Sequence, residues 1–213
     1  MSYGDESFWA KYVAYVTESL PRHKAAIERL GGLLAPLLDL GCGKVMEGRQ
    51  IAIGKDEKHY IGVDVDPIEL DPLRPRPIPD EPALLTKNYR TDLGFIASNL
   101  KARKFSPFCV VSLFSIEPTG SPEENELVYR EVFKRWPTVR KIISAGFYYQ
   151  KTWNVSGPVP EAGGLMSYQL NGEVPLLSGD LHEYRLEEHA PSTLFGPDVV
   201  EVWRLIQKKE KTK

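Results

Sequence analysis

Two short apolar runs, each ending in a polar signature, constrain this chain more than any other feature. The first is Leu37-Leu38-Asp39-Leu40, which enters the turn Gly41-Cys42-Gly43. The second is Tyr60-Ile61-Gly62-Val63, which ends in Asp64-Val65-Asp66. Asp64 follows the turn by about twenty residues, the separation of a strand, a glycine turn and a helix feeding a neighbouring parallel strand. Such a unit commits the chain to an α/β sheet with its ligand at the strand ends. Glycines let the backbone approach that ligand, and an acid at the second strand end accepts hydrogen bonds from ribose hydroxyls. The pattern fits an adenosine-containing cofactor.

A dinucleotide turn has the form Gly-x-Gly-x-x-Gly and seats a pyrophosphate. Here the third glycine position holds Met46, and Asp39 stands just before the first glycine. A carboxylate there repels a pyrophosphate and suits a ligand that carries positive charge.

Asp39-Leu40-Gly41-Cys42-Gly43 and Gly62-Val63-Asp64 resemble motifs I and II of the class I S-adenosylmethionine-dependent methyltransferases. In element order the resemblance covers residues 35–150. It implies a Rossmann-like α/β fold: a doubly wound, mostly parallel seven-stranded sheet with an antiparallel C-terminal hairpin and N-terminal helices. It also implies S-adenosylmethionine as cofactor. The turn Gly41-Cys42-Gly43 would lie under its methionine part, with Asp39 fixing the turn or meeting the cationic end. Asp64, beside Val65, would bind the ribose. Asp92, after the third strand, would meet the adenine amino group, and Ser112 and Phe114, at the end of the fourth, would complete the cofactor set. Ser115 and Glu117 are substrate-facing by the same logic. Each has a plainer reading. Asp39 and Asp92 suit helix caps, Asp66 suits a turn former before Pro67, and Phe114 suits a core position. The family turn continues Gly-Cys-Gly-x-Gly, whereas Val45 follows Lys44 here and Gly48 comes later.

With 213 residues, 42% of them hydrophobic, one α/β domain can build a sizeable core. We read 1–34 as an N-terminal helical extension and 35–213 as the cofactor-binding domain. A net charge of −2 gives no nucleic-acid or anionic-membrane signal. No apolar run nears the ~20 residues of a bilayer span, the N-terminus is polar, and neither Cys42 nor Cys109 has metal-ligand spacing. These readings point to a cytoplasmic protein without a metal.

Phe8, Trp9, Tyr12, Val13, Tyr15, Val16 and Leu20 have helical spacing over 6–20, and Pro21 suits the start of a second helix that stops at Gly31-Gly32. Strands are expected over 37–40, 60–65, 83–89, 108–114 and 141–147, with helices over 44–53, 93–101 and 121–136. Six prolines between 67 and 82 exclude a regular crossover helix there. Asn171-Gly172 signals a hairpin between 166–170 and 174–177, followed by strands over 184–186 and 199–206.

No catalytic residue is assigned. The Asn-Pro-Pro-Tyr signature of amino methyltransferases is missing, and no cysteine follows the fourth or fifth strand. Among the histidines, His182 and His189 lie among charges in the C-terminal part, where either a general base or a solvated surface residue fits. Phe147, Tyr148, Tyr149 and Trp153 stand at the cleft edge, to cage a substrate or cover the sheet. The reading is methyl transfer to a small-molecule or protein acceptor. The altered turn and the proline-rich crossover motivate an alternative, a catalytically inactive methyltransferase-like binding or scaffold subunit. A nicotinamide-dependent oxidoreductase is opposed by Met46 and Asp39.

Overall fold

The computed structural model describes residues 6–43, 47–52, 58–65, 84–116, 122–149, 158–160, 166–168, 179–188 and 199–209. Strands β1 (Leu37–Leu40), β2 (Tyr60–Asp64), β3 (Leu84–Thr86), β4 (Cys109–Leu113) and β5 (Lys141–Tyr149) are mutually parallel. Strands β6 (Pro158–Pro160) and β7 (Met166–Tyr168) form a separate antiparallel pair. β8 (Leu181–Glu188) and β9 (Val199–Lys208) complete the main sheet, whose order is β3-β2-β1-β4-β5-β9-β8, with β9 antiparallel to both neighbours. The seven-stranded, mostly parallel sheet with a C-terminal antiparallel hairpin is therefore present.

The two faces of each inner strand explain the layering. Leu38, Leu40, Val110 and Ile142 pack with residues of helices α3 (Tyr89–Ala102) and α4 (Pro122–Arg135). Leu37, Val111, Ile143 and Ala145 point the other way, against helix α1 (Glu6–Arg29). β4 is buried along its whole length, as a central parallel strand covered on both faces must be. Strand order reverses between β1 and β4, since β2 and β3 extend one way and β4 and β5 the other. Ligands of open α/β sheets bind beyond the strand C-termini at such a point.

Several boundaries differ from those expected. α1 is one helix that continues through Pro21. Pro21 is exposed, and the buried stripe Tyr15, Val16, Ser19, His23, Ala26, Ile27 and Leu30 runs past it on the other side. Packing of that stripe, about 1.5–3 kcal/mol for each large apolar residue, outweighs the lost helical hydrogen bond. The helix ends as expected, with Gly32 N–H donating to Ile27 O at 2.8 Å. Helix α2 (Glu47–Ile51) stops before residue 52, short of the expected end, and 44–46 lie outside the described residues. β3 ends at Thr86, and Asn88 caps α3 by accepting from Arg90 N–H at 2.9 Å, so 87–92 is not strand. β8 is longer than 184–186 because it pairs with β9 along its whole length. β7 pairs with β6, while Asn171-Gly172, the prolines from Pro67 to Pro82, Asp66, Glu117, Trp153 and His189 lie outside the described residues.

Candidate functional site

The glycine turn leaves β1 at the strand-order reversal. Gly41 N–H and Cys42 N–H both donate to Val63 O, at 2.7 and 3.1 Å, which folds the turn over the end of β2. Gly41 and Gly43 have φ of +73° and +57°, the left-handed region that side chains resist. A Cβ on Gly41 would overlap Ser115 Oγ and stand 3.1 Å from the Tyr89 ring, whose hydroxyl bonds Ser115 at 2.9 Å. Among the described residues nothing lies within 4 Å of a Cβ position on Gly43. Gly43 N–H donates to Asp64 Oδ2 at 2.8 Å, joining the ends of the two apolar runs. Val65, half exposed, follows on the rim.

Asp39 turns the other way. Its Oδ2 accepts from the Tyr60 hydroxyl at 2.7 Å under α2, where a Cβ on Gly48 would overlap it. Burial pushes its carboxyl up to about 7; the Tyr60 hydroxyl opposes this, and the charges of Glu47 and Asp64 add to it. Ser112 is buried and its hydroxyl accepts from Ile116 N–H at 3.1 Å, closing the turn after β4. Asp92 lies in the first turn of α3 with φ −107° and ψ 15°, a kink, and Asn88 is the cap, which removes the plainer of the two readings of Asp92. His182 is exposed on the edge strand.

Phe114 has φ +55°, and its N–H donates to Ala145 O at 2.8 Å. A non-glycine residue there is strained and is held by its surroundings. Its ring stacks on Phe147 at 4.3 Å and meets Trp203 edge-on at 5.7 Å, forming an aromatic wall on the α1 side of β4 and β5. The structure thus groups Gly41, Gly43 and Asp64 closely, and sets Asp39, Ser112 and Phe114 into the core around them.

Behind the wall stands a polar cluster that the sequence does not announce. His23 of α1 is fully buried, with Nδ1 on Glu47 Oε1 of α2 and Nε2 3.2 Å from Glu201 Oε1 of β9. Glu201 also accepts from the Tyr15 hydroxyl, from both nitrogens of the Arg22 fork, and from Trp203 Nε1–H at 3.3 Å. Burial raises the Glu201 carboxyl, and the Trp203 donor opposes that rise. The His23 ring lies 5.3 Å from Phe114. These partners come from three elements separated by up to 186 positions, so no local spacing could reveal them.

No protein family and no curated protein matches the chain. Solved structures do. The cyclopropane-fatty-acyl-phospholipid synthase-like protein from Lactobacillus casei ATCC 334 shares 11% identity, with 97% of this chain and 94% of that one covered and a TM-score of 0.57. The N-methyltransferase NodS from Bradyrhizobium japonicum WM9, in complex with S-adenosyl-L-homocysteine, gives 11% identity, 89% and 87% coverage and 0.52. The DhpI-SAH complex structure gives 12% identity, 96% and 91% coverage and 0.51. At these identities the likeness is one of fold: the chain has the Rossmann-like fold of the class I methyltransferases.

Proposed function

We propose that this protein is an S-adenosylmethionine-dependent methyltransferase acting on a small-molecule or protein acceptor. The observation that carries the reading is the left-handed glycine turn, closed onto the Asp64 carboxylate by the 2.8 Å hydrogen bond. Residues 35–213 hold the cofactor in this reading, and α1 walls the site.

The residues present fit the cofactor. The bare face of Gly43 lets backbone and ligand come close, as an adenosine ligand at this position requires. Asp64 accepts from ribose hydroxyls, with Val65 beside it and Asp92 toward the base. Glu47 and Asp64 supply negative charge near the turn, which suits a cationic ligand and opposes a pyrophosphate. Bound there, S-adenosylmethionine supplies a sulfonium methyl that a nucleophile displaces in line. The chain's own part is positioning and exclusion of water, for which the Phe114–Phe147 wall is built. Two buried thiols and no helix long and apolar enough to cross a membrane, among the described residues, agree with a cytoplasmic setting.

The test is calorimetric: purified protein titrated with S-adenosylmethionine and, separately, with NAD. Micromolar binding of the first alone supports the reading; stabilisation by NAD alone would turn it into a nicotinamide oxidoreductase. A second reading, a catalytically silent binding subunit, is favoured by one observation, the commitment of Asp39 to Tyr60 beneath α2. It predicts a well-folded protein that binds neither ligand.

A further inference from the structure

We propose that Glu47 is the receptor for the amine of an S-adenosyl amino acid, a role its neighbour Asp39 does not fill in this chain. The proposal rests on the cofactor reading above. Glu47 opens α2, four residues past Gly43, and is almost wholly buried. One of its oxygens, Oε1, is taken by His23 Nδ1. The other, Oε2, is buried with no hydrogen-bond partner among the described residues. A carboxylate oxygen out of water without a donor is costly, and an ammonium group is the ligand that satisfies it best.

The basic side chains around it are Arg22, His23 and Arg49, the last on α2 with its charge acting on Tyr60. Three buried carboxyls gather here: Asp39, Glu47 and Glu201. The guanidinium of Arg22 is committed to both oxygens of Glu201. His23 stands between Glu201 and Glu47 and serves their inner oxygens only. Asp39 stands where a charge-bearing partner for the cofactor was expected, yet its Oδ2 holds the Tyr60 hydroxyl and lies against Gly48. Among the described residues, Glu47 Oε2 is the buried carboxylate oxygen left without a donor.

Its location is right for the methionine end. Glu47 follows the glycine turn in the chain, and its charge acts on Asp39 at the end of β1. Through His23 it adjoins Phe114 at the end of β4. It thus stands between the two strands whose divergence makes the crevice. His23 is a positioning residue in this scheme. It fixes the Glu47 carboxylate through Oε1 and is itself braced by Glu201.

The experiment compares two ligands. S-adenosylhomocysteine carries the amine; its 4-thiobutyrate analogue keeps the carboxylate and lacks the amine. In calorimetry, wild-type protein should bind S-adenosylhomocysteine ~10-fold more tightly than the analogue. In Glu47→Gln that preference should vanish, with S-adenosylhomocysteine weakened ~10-fold and the analogue unchanged. Glu47→Asp, which keeps the charge and withdraws the oxygen, should retain part of the preference and covers the case in which Glu47→Gln does not fold. Equal binding of the two ligands by wild type, or equal weakening of both by Glu47→Gln, overturns the proposal. Binding of neither ligand by wild type is a different failure: it removes the cofactor reading itself, and this inference with it.

Discussion

Asp39 shows how a residue's partners, and not its motif, set its chemistry. A carboxylate two positions before a glycine turn reads from sequence as fixing the turn or meeting a cationic ligand. The structure buries it against the Tyr60 hydroxyl, 21 positions away, beneath a helix that begins eight residues later. Its carboxyl is raised from 3.8 to about 7 by burial. The folded state therefore holds a proton there that the unfolded chain has released, and this contribution to stability is present at low pH and is lost as pH rises through about 7. Asp39→Asn keeps an acceptor for Tyr60 without the charge. We expect near-equal stability of mutant and wild type at pH 4, and a mutant more stable at pH 8 by at most about 4 kcal/mol, read by urea unfolding at the two pH values. Gly41, Gly43 and Asp64, by contrast, were legible in the sequence, because turn geometry and strand-end position are local properties. The His23–Glu47–Glu201 cluster was not, because burial and pairing across three elements leave no spacing to read.

At the level of elements, periodicity located the inner strands well. Residues 37–40 form β1 as expected, and β2, β4 and β5 differ from their expected limits by one or two residues at an end. Boundaries failed where a local signal had a stronger competitor. Pro21 reads as a helix start, yet α1 passes through it because the buried stripe continues on the opposite side. Pro21→Ala restores a backbone donor at an exposed site and should stabilise the protein by about 1–3 kcal/mol in denaturant unfolding. The cap, one of two readings of Asp92, belongs to Asn88, and the helix begins earlier than expected. Glu201 ties α1 to β9 through Tyr15, Arg22 and His23. Glu201→Ala takes the acceptor from the buried Tyr15 hydroxyl and from His23 Nε2, and removes the ion pair of the partly exposed Arg22, and should cost about 3–5 kcal/mol. Faster amide exchange in α1 than in β4 would accompany the loss; an undisturbed α1 would contradict the tie.

For the whole molecule, the order of the sheet sets the point at which a ligand crevice is expected. Five parallel strands diverge between β1 and β4, and the antiparallel β9 carries Glu201 and Trp203 back to the same end of the sheet as Phe147. β9 lies between β5 and β8, so truncation after residue 198 removes the pairing partner of both. We expect such a truncated chain to lose cooperative unfolding. Apolar runs and the glycine turn made the α/β class readable, and the family resemblance implied the closing hairpin; the turn signal Asn171-Gly172 lies outside the described residues, and the extent of β8 depends on a partner strand that the β8 sequence does not contain.

The central claim is that the glycine turn and Asp64 together form an S-adenosylmethionine site. Titration calorimetry with S-adenosylmethionine and S-adenosylhomocysteine, on wild type and Asp64→Ala side by side, tests it most directly. The account predicts micromolar binding by wild type and a loss of ~100-fold in Asp64→Ala, the worth of two hydrogen bonds to a charged acceptor. A folded wild type that binds neither ligand, or an Asp64→Ala protein that binds both as tightly as wild type, would contradict it.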